Sequence, residues 1–330
     1  MIGYYVHHVG AGHLHRARAV ADRTSATVTG LSSLPEPEGW PGLWLQLDRD
    51  DRARLAEDPT PGGRLHWVPR GDAGLRSRMA ALSAWIDAAR PEVLVSDVSV
   101  EVTLLARLHG IPVVSVVLPG HRGDLAHRNA FAVSSGLVAA WPAEAAGMVR
   151  GLAPAARRRL RCVGGVSRLP VAAGRRKPRG RSVLVLSGRG GGHPTRAQVR
   201  AAAGSTPEWR WRHLGGSGEW HDDPAAALSE ADVVVVQAGE SALADVAARR
   251  RPAVVVPAER PFGEQLATAR ALSNGQWPCV VVPEFPETGW AQLLGEVAAL
   301  EGDAWRLWCD GHSADRIAEH LDSYAARRRP

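Results

Sequence analysis

Two glycine-rich turns carry the residues of this chain best suited to chemistry. The first reads Val9-Gly10-Ala11-Gly12-His13-Leu14-His15-Arg16 and directly follows an apolar run, Ile2–Val6. Glycines at such a turn let the backbone bend sharply and let a ligand approach the next helix N-terminus, whose unpaired N–H groups are partly positive. A dinucleotide fingerprint needs a third glycine where Leu14 or His15 stands, which disfavours a nicotinamide enzyme. The second turn reads Leu186-Ser187-Gly188-Arg189-Gly190-Gly191-Gly192-His193-Pro194-Thr195. Its bare backbone N–H groups, with Arg189 and Thr195 as further donors, suit a pyrophosphate. It lacks the Gly-Lys-Ser/Thr ending of an NTPase loop, and a flexible solvent loop is the plain alternative in so glycine-rich a chain.

A more specific pattern begins at Ala231. A buried apolar run, Val233–Val236, meets a small-residue turn, Gln237-Ala238-Gly239, and then a helix whose first turns carry Ser241 and Asp245. A second run, Ala253–Val256, ends in Pro257, and an Arg/Pro/Phe loop leads to Glu264-Gln265 at the next helix start. That spacing sets Ser241, Asp245, Glu264 and Gln265 at the C-terminal ends of adjacent parallel strands, where open α/β sheets bind ligands. Other features have blander readings. His7 and His8 alternate on the first strand, and no Cys/His ligand spacing joins them to His13 and His15, so no metal site is expected. Trp209, Trp211 and Trp220 read as core filling, although Trp220 lies in a Gly-Ser-Gly-Glu-Trp-His loop where a nucleobase would stack.

The elements that must position these residues follow from alternating β-branched runs and Ala/Arg/Leu-rich segments of helical period, the pattern of βαβ units around a parallel sheet. In the first half, strands are expected at Ile2–Val6, Thr27–Leu31, Leu65–Val68, Val93–Ser96, Val113–Leu118 and Leu137–Ala140, and helices at His13–Arg23, Leu75–Ala89, Val100–Leu108 and Ala143–Arg150. The stretch Ser32–Gly63 has no clean period and reads as an acceptor-facing loop or a surface insertion. Composition shifts to Gly, Pro and Arg over residues 164–181, which sets the boundary between a domain at 1–163 and one at 182–312. In the second half, strands are expected at Val183–Leu186, Trp209–Leu214, Val233–Val236, Ala253–Val256 and Val280–Val282. Helices are expected at Arg196–Ala203, Pro224–Glu230, Ser241–Arg249, Glu264–Leu272 and Trp290–Leu300. A final helix occupies 313–330.

With 330 residues, 45% of them hydrophobic, the chain can build two cores. Its net charge of +6 is spread along the whole length and is almost all arginine, with Lys177 the sole lysine, so it reads as coding bias and not as a nucleic-acid surface. The runs Arg157–Arg159 and Arg175-Arg176-Lys177 read as solvated surface, with peripheral docking to anionic lipid as the lesser reading. Cys162, Cys279 and Cys309 lie far apart without a disulfide or zinc spacing, which fits a reducing cytoplasm. The N-terminus lacks the pattern of a signal peptide, and no apolar run is long enough to span a bilayer.

The segment from Ala231 onward resembles the donor half of the GT-B glycosyltransferases, particularly the N-acetylglucosaminyltransferases that make the lipid-linked peptidoglycan precursor, and the UDP-glycosyltransferases. Gly10, Gly12 and His13 match the family's first-domain motif. The resemblance implies an α/β fold of two Rossmann-like domains with parallel sheets facing a central cleft, the first binding the acceptor and the second the nucleotide-sugar. It places Asp245, where the family usually has Glu, on the ribose hydroxyls, and Glu264 and Gln265 on the sugar hydroxyls. Gly188, Arg189, Gly190, Gly191, Gly239 and Ser241 complete the expected donor site, with Gly10, Gly12 and His15 on the acceptor side. His13 is the implied general base, with Asp97, the end of the Val93-Leu94-Val95-Ser96-Asp97 run, as its partner and His15 as local competitor.

The implied reaction is an inverting sugar transfer from a nucleotide-sugar, a UDP-sugar by preference, without a catalytic metal or other cofactor. Departing diphosphate would be stabilised by the Gly188–Gly192 loop and the helix behind it. A sugar-nucleotide epimerase of the same fold and a non-catalytic sugar-nucleotide-binding protein are the competing classes. The sequence leaves open both the sugar and the acceptor; the Trp-containing segment Pro35–Leu47 suits a small hydrophobic aglycone as well as a lipid-linked sugar.

Overall fold

A computed structural model of the chain describes residues 1–52, 56–172, 180–188, 190–219 and 223–326. Arg189, Trp220, Asp222 and the Arg175-Arg176-Lys177 run lie outside the described residues. The chain divides into two compact units, one of Met1–Ala140, Arg150–Val163 and Ala314–Pro330 and the other of Trp141–Val149 and Gly164–Ser313.

In the first unit the strands are β1 (Ile2–Tyr5), β2 (Val28–Ser32), β3 (Leu43–Gln46), β4 (Val93–Asp97), β5 (Val113–Val117), β6 (Gly120–His121), β7 (Gly136–Ala139) and β9 (Leu160–Cys162), while β8 (Val149–Arg150) falls at the boundary where the chain re-enters this unit. Seven of them form a sheet in the order β3-β2-β1-β4-β5-β7-β9, and every pairing in it is parallel. β1, β4 and β5 are buried along their whole length, as expected of uninterrupted apolar runs covered on both faces. The helices are α1 (Ala11–Ala21), α2 (Ala73–Ala89), α3 (Val100–Leu108), α4 (Leu125–Val133) and α5 (Pro154–Arg159). Asp72, Ser99 and Asp124 cap α2, α3 and α4 by accepting a backbone N–H three residues on. Each such cap contributes about 1 kcal/mol. Leu82 and Ile86 of α2 and Val102 and Ala106 of α3 pack with Leu31, Leu94 and Val113 of the sheet.

The second unit holds β10 (Ser182–Leu186), β11 (Arg210–Leu214), β12 (Val233–Val236), β13 (Ala253–Val255) and β14 (Cys279–Val281), paired in parallel in the order β11-β10-β12-β13-β14. Its helices are α6 (Arg196–Gly204), α7 (Ala225–Glu230), α8 (Glu240–Ala248), α9 (Glu264–Leu272) and α10 (Trp290–Ala298). Val183, Val185, Val233, Val235 and Val254 from the strands meet Trp290, Leu294 and Val297 of α10 in one core.

Several expectations need correction. Leu65–Val68 is not a strand: the Glu101 carboxylate accepts from the backbone N–H of His66 (2.7 Å) and Trp67 (3.2 Å), groups a strand would pair with a neighbour. Ala143–Arg150 is not a helix; the chain turns through Gly147 at φ +84° and closes in β8. The unassigned stretch after Ser32 contributes a sheet strand, β3, and α4 was not foreseen. The final helix, α11 (Ser313–Ala326), is not a separate piece, since from Ala314 it belongs to the first unit. Asp322 on it accepts from Thr24 Oγ1 (2.5 Å) and from Ser25 N (3.0 Å), and Arg316 donates to Val163 O.

Candidate active site

Because β1 and β4 are hydrogen-bonded neighbours running the same way, their C-terminal ends share one edge of the first sheet. Asp97 is the last residue of β4, and the turn after β1 leads into α1 through Gly10, whose φ of +97° is a conformation that disfavours any side chain. That turn sets Gly12, His13 and His15 within the first turns of α1. His13 Nδ1 lies 2.8 Å from Asp97 Oδ1. Arg16, one turn further along α1, reaches the same carboxylate with Nε at 3.1 Å from Oδ2 and a terminal nitrogen at 3.0 Å from Oδ1. The Asp97 side chain has no solvent exposure, that of Arg16 has 5% and that of His13 has 14%.

Burial pushes the Asp97 carboxyl up, but the charges and hydrogen bonds of Arg16 and His13 outweigh it and hold the group well below the usual carboxylate range. Burial lowers His7 to about 4, helped by His13 and His8 nearby, so this ring is neutral. It stacks on His8 at 5.0 Å and lies 5.7 Å from His13. Sequence reasoning missed Arg16. Its signal is an arginine on the face of α1 otherwise buried through Ala17, Val20 and Ala21.

In the second unit the strand ends of β10, β12 and β13 open onto a cavity of about 180 Å³ lined by Ser187, Gly192, His193, Gln237, Glu284 and Phe285 among others. The glycine-rich loop borders it, with Gly188, Gly190 and Gly191 exposed. Gly191 O accepts from Gln237 Nε2 (3.2 Å) and from Arg260 (2.7 Å). Since a trans peptide points its C=O and N–H in opposite directions, these two donors turn the Gly192 N–H away from themselves. A Cβ on Gly190 would run into the Arg260 guanidinium. Thr195 is the N-cap of α6 and forms a reciprocal capping box with Gln198, so its hydroxyl serves the helix and not a ligand.

Gly239 takes the N-cap position of α8, and Ser241, half-buried, follows in the first turn. Gln265, in the first turn of α9, uses Oε1 to accept from Ala258 N at 2.8 Å, and its Nε2 lies 3.8 Å from where a Cβ on Gly239 would stand. Glu264 opens α9. Asp245, further along α8, has other partners. Its carboxylate, 4% exposed, accepts from Ser167 Oγ (2.8 Å), Arg168 N (3.3 Å) and Arg168 Nε (3.0 Å). Burial raises the Asp245 carboxyl despite those partners.

Two groups among the described residues bring ligand-type atoms within 4.8 Å of one another, His66/Asp124/His127 and His8/Asp50/Asp51. Arginines already occupy both. Arg122 lies 3.2 Å from His127 Nε2, Arg78 pairs with Asp50 at 2.6 Å, and Arg49 forks onto Asp51. A fixed guanidinium opposes a metal cation by simple repulsion. No helix among the described residues is long and apolar enough to cross a membrane.

Residues 194–284 match the family model of the glycosyltransferase family 28 C-terminal domain, a span that covers α6 to the turn after β14 and so most of the second-unit site. The second unit therefore carries a glycosyltransferase family 28 C-terminal domain, within a chain of GT-B fold. The chain's fold is that of MurG from Acinetobacter baumannii (15% identity, 98% of this chain and 99% of that one covered, TM-score 0.63). It is likewise that of CalG4, the calicheamicin glycosyltransferase (14%, 100% and 99%, TM-score 0.66). Arabidopsis thaliana UGT89C1, solved in complex with UDP, has it too (14%, 97% and 99%, TM-score 0.58). No curated protein sequence matches this chain.

Proposed function

We propose that this chain is a glycosyltransferase that moves a sugar from a UDP-sugar to an acceptor hydroxyl with inversion, that His13 is the general base, and that no metal takes part. The observation that carries the reading is the 2.8 Å contact of His13 Nδ1 with a buried, ionised Asp97. A carboxylate at that distance only accepts, so Nδ1 bears the hydrogen and Nε2 has a free lone pair for the acceptor proton. As the acceptor oxygen bonds to the anomeric carbon from the face opposite the leaving group, its proton passes to Nε2. The anomeric C–O bond breaks with its electron pair going to the diphosphate. Asp97 keeps the ring oriented and stabilises the imidazolium as it forms.

The diphosphate would lie at the glycine-rich loop, where backbone N–H groups and the α6 N-terminus offer positive charge. UDP as the nucleotide is favoured by the UDP complex of a protein with the same fold. Gln265 and Glu264 would address sugar hydroxyls, and Asp245 the ribose. A small-molecule or lipid-linked acceptor would bind the first unit beside Gly10, Gly12 and His15. Incubation with UDP-sugars, alone and with acceptor mixtures, tests the reading through UDP release and epimer formation. UDP release that depends on acceptor supports transfer, whereas a changed sugar without acceptor identifies an epimerase and binding without turnover a non-catalytic protein.

A further inference from the structure

We infer that Arg16 is a positioning residue for the transfer step, fixing Asp97 so that His13 presents a bare Nε2 to the acceptor; this rests on the assignment of His13 as base. Arg16 follows His13 by three residues, so both side chains leave α1 on one face. Its two nitrogens grip the two oxygens of Asp97 at 3.1 and 3.0 Å, the planar fork that arginine alone among the side chains can offer a carboxylate. His13 Nδ1 shares Oδ1 with it, and the 3.3 Å approach of Arg16 to His13 Nδ1 is therefore between two donors meeting one acceptor.

Two consequences follow for the base. With both oxygens gripped, Asp97 cannot rotate away or take up a proton, so the Nδ1–H tautomer of His13 is fixed before any acceptor arrives. The Arg16 guanidinium also sets a fixed positive charge 3.3 Å from the ring, which a dyad of histidine and aspartate alone would lack. Beside the ring, His7 in the turn after β1 is kept neutral by burial, and His8 stacks behind it with Nε2 3.2 Å from Asp51 Oδ2. The Tyr4 hydroxyl, buried in β1, is pushed up by that burial and by Asp97 and stays protonated.

The test compares wild type with Arg16→Gln and Arg16→Lys by kcat/KM against pH, and by 15N signals of the His13 imidazole in the nucleotide-free protein. Arg16→Gln is expected to lower kcat at least about tenfold with little change in donor KM, because it disturbs orientation and not binding. Loss of the cation should move the acidic limb of its profile to higher pH by about one unit. Its 15N spectrum should show a mixture of tautomers. Arg16→Lys keeps charge without the fork and should give a smaller loss of kcat with the limb in place.

Should Arg16→Gln unfold, the wild-type spectrum still decides, since a neutral His13 in the Nε2–H tautomer overturns the inference. So does an Arg16→Gln enzyme that loses turnover with limb and tautomer unmoved, as a merely structural arginine would, and so do two variants that behave like wild type. Failure of the transfer reading looks different. UDP is then not released with any acceptor, whatever the 15N result, or His13→Ala keeps full turnover.

Discussion

Arg168 Nε lies 3.0 Å from Asp245 Oδ2, so the carboxylate proposed to hold the ribose is already paired with a cation 77 residues away in sequence. A ribose-binding Asp245 and an Asp245 that only steadies Arg168 make different predictions. In the first case the carboxylate accepts from the ribose hydroxyls, UDP binds more tightly than dUDP by about 1–3 kcal/mol, and Asp245→Ala removes that difference. In the second, Asp245→Ala weakens UDP and dUDP equally. Titration calorimetry on both nucleotides with both proteins separates the two, and the ribose assignment predicts the first pattern.

The His13–Asp97 pair acts in the transition state under the proposed mechanism, so its loss should appear in kcat. His13→Ala is expected to lower kcat by roughly 10²–10⁴ with UDP affinity nearly unchanged. Asp97→Asn should reproduce much of that loss, because an amide in place of the carboxylate no longer fixes the tautomer. The double variant should fall far short of the product of the two. Near wild-type turnover in His13→Ala with an established acceptor would remove His13 as the base.

Charge on the departing diphosphate is met, in this reading, by the glycine-rich loop and not by a metal. Turnover should therefore persist after dialysis against EDTA, and activity abolished by chelation and restored by Mg²⁺ or Mn²⁺ would overturn the assignment. The loop itself is testable at Gly190, where a Cβ meets the Arg260 guanidinium that donates to Gly191 O at 2.7 Å. Gly190→Ala must push Arg260 aside and disturb the Gly191–Gly192 peptide. UDP affinity should fall while that of uridine, which lacks phosphates, stays the same.

The two parallel sheets were legible because valine-rich runs such as Val93–Asp97 and Val233–Val236 are buried on both faces and need no alternation. The glycine turn before His13 and the strand end at Asp97 were legible for the same reason, and parallel pairing of β1 with β4 brings them together. What the sequence hid were side-chain choices made by distant partners. Arg16 sits on a buried helix face because Asp97, 81 residues on, receives it, and local periodicity has no means of showing this. Equally hidden is that Ser167 and Arg168, from the segment that reads as linker, hydrogen-bond the Asp245 carboxylate. Leu65–Val68 looks like a strand until Glu101 takes its N–H groups, and the capping aspartate of α4 is masked by the Gly- and Arg-rich run around it.

Acid stability should be governed in part by histidines that the fold keeps neutral. Burial lowers His7 to about 4, and burial, assisted by Arg122, lowers His127 to about 4 as well. Both lie below the ordinary histidine value near 6.5, so between those limits the unfolded chain binds protons that the folded one refuses. Their contribution is fully present above about pH 6.5 and is lost as pH falls toward 4. Asp124, held at about 2 by hydrogen bonds from His127 that outweigh its burial, adds a further loss at lower pH, from its ordinary 3.8 downward. Tm should therefore decline from pH 6.5 toward pH 4, with the slope set by proton uptake on unfolding. His7→Gln removes one of the two groups without touching the Asp124–His127 contact of 2.5 Å. The variant should show a visibly shallower decline over that window while losing the same stability as wild type below it. Differential scanning calorimetry of both proteins at closely spaced pH values reads this directly, and parallel curves from pH 6.5 to 4 would show that His7 titrates alike in the folded and unfolded chain.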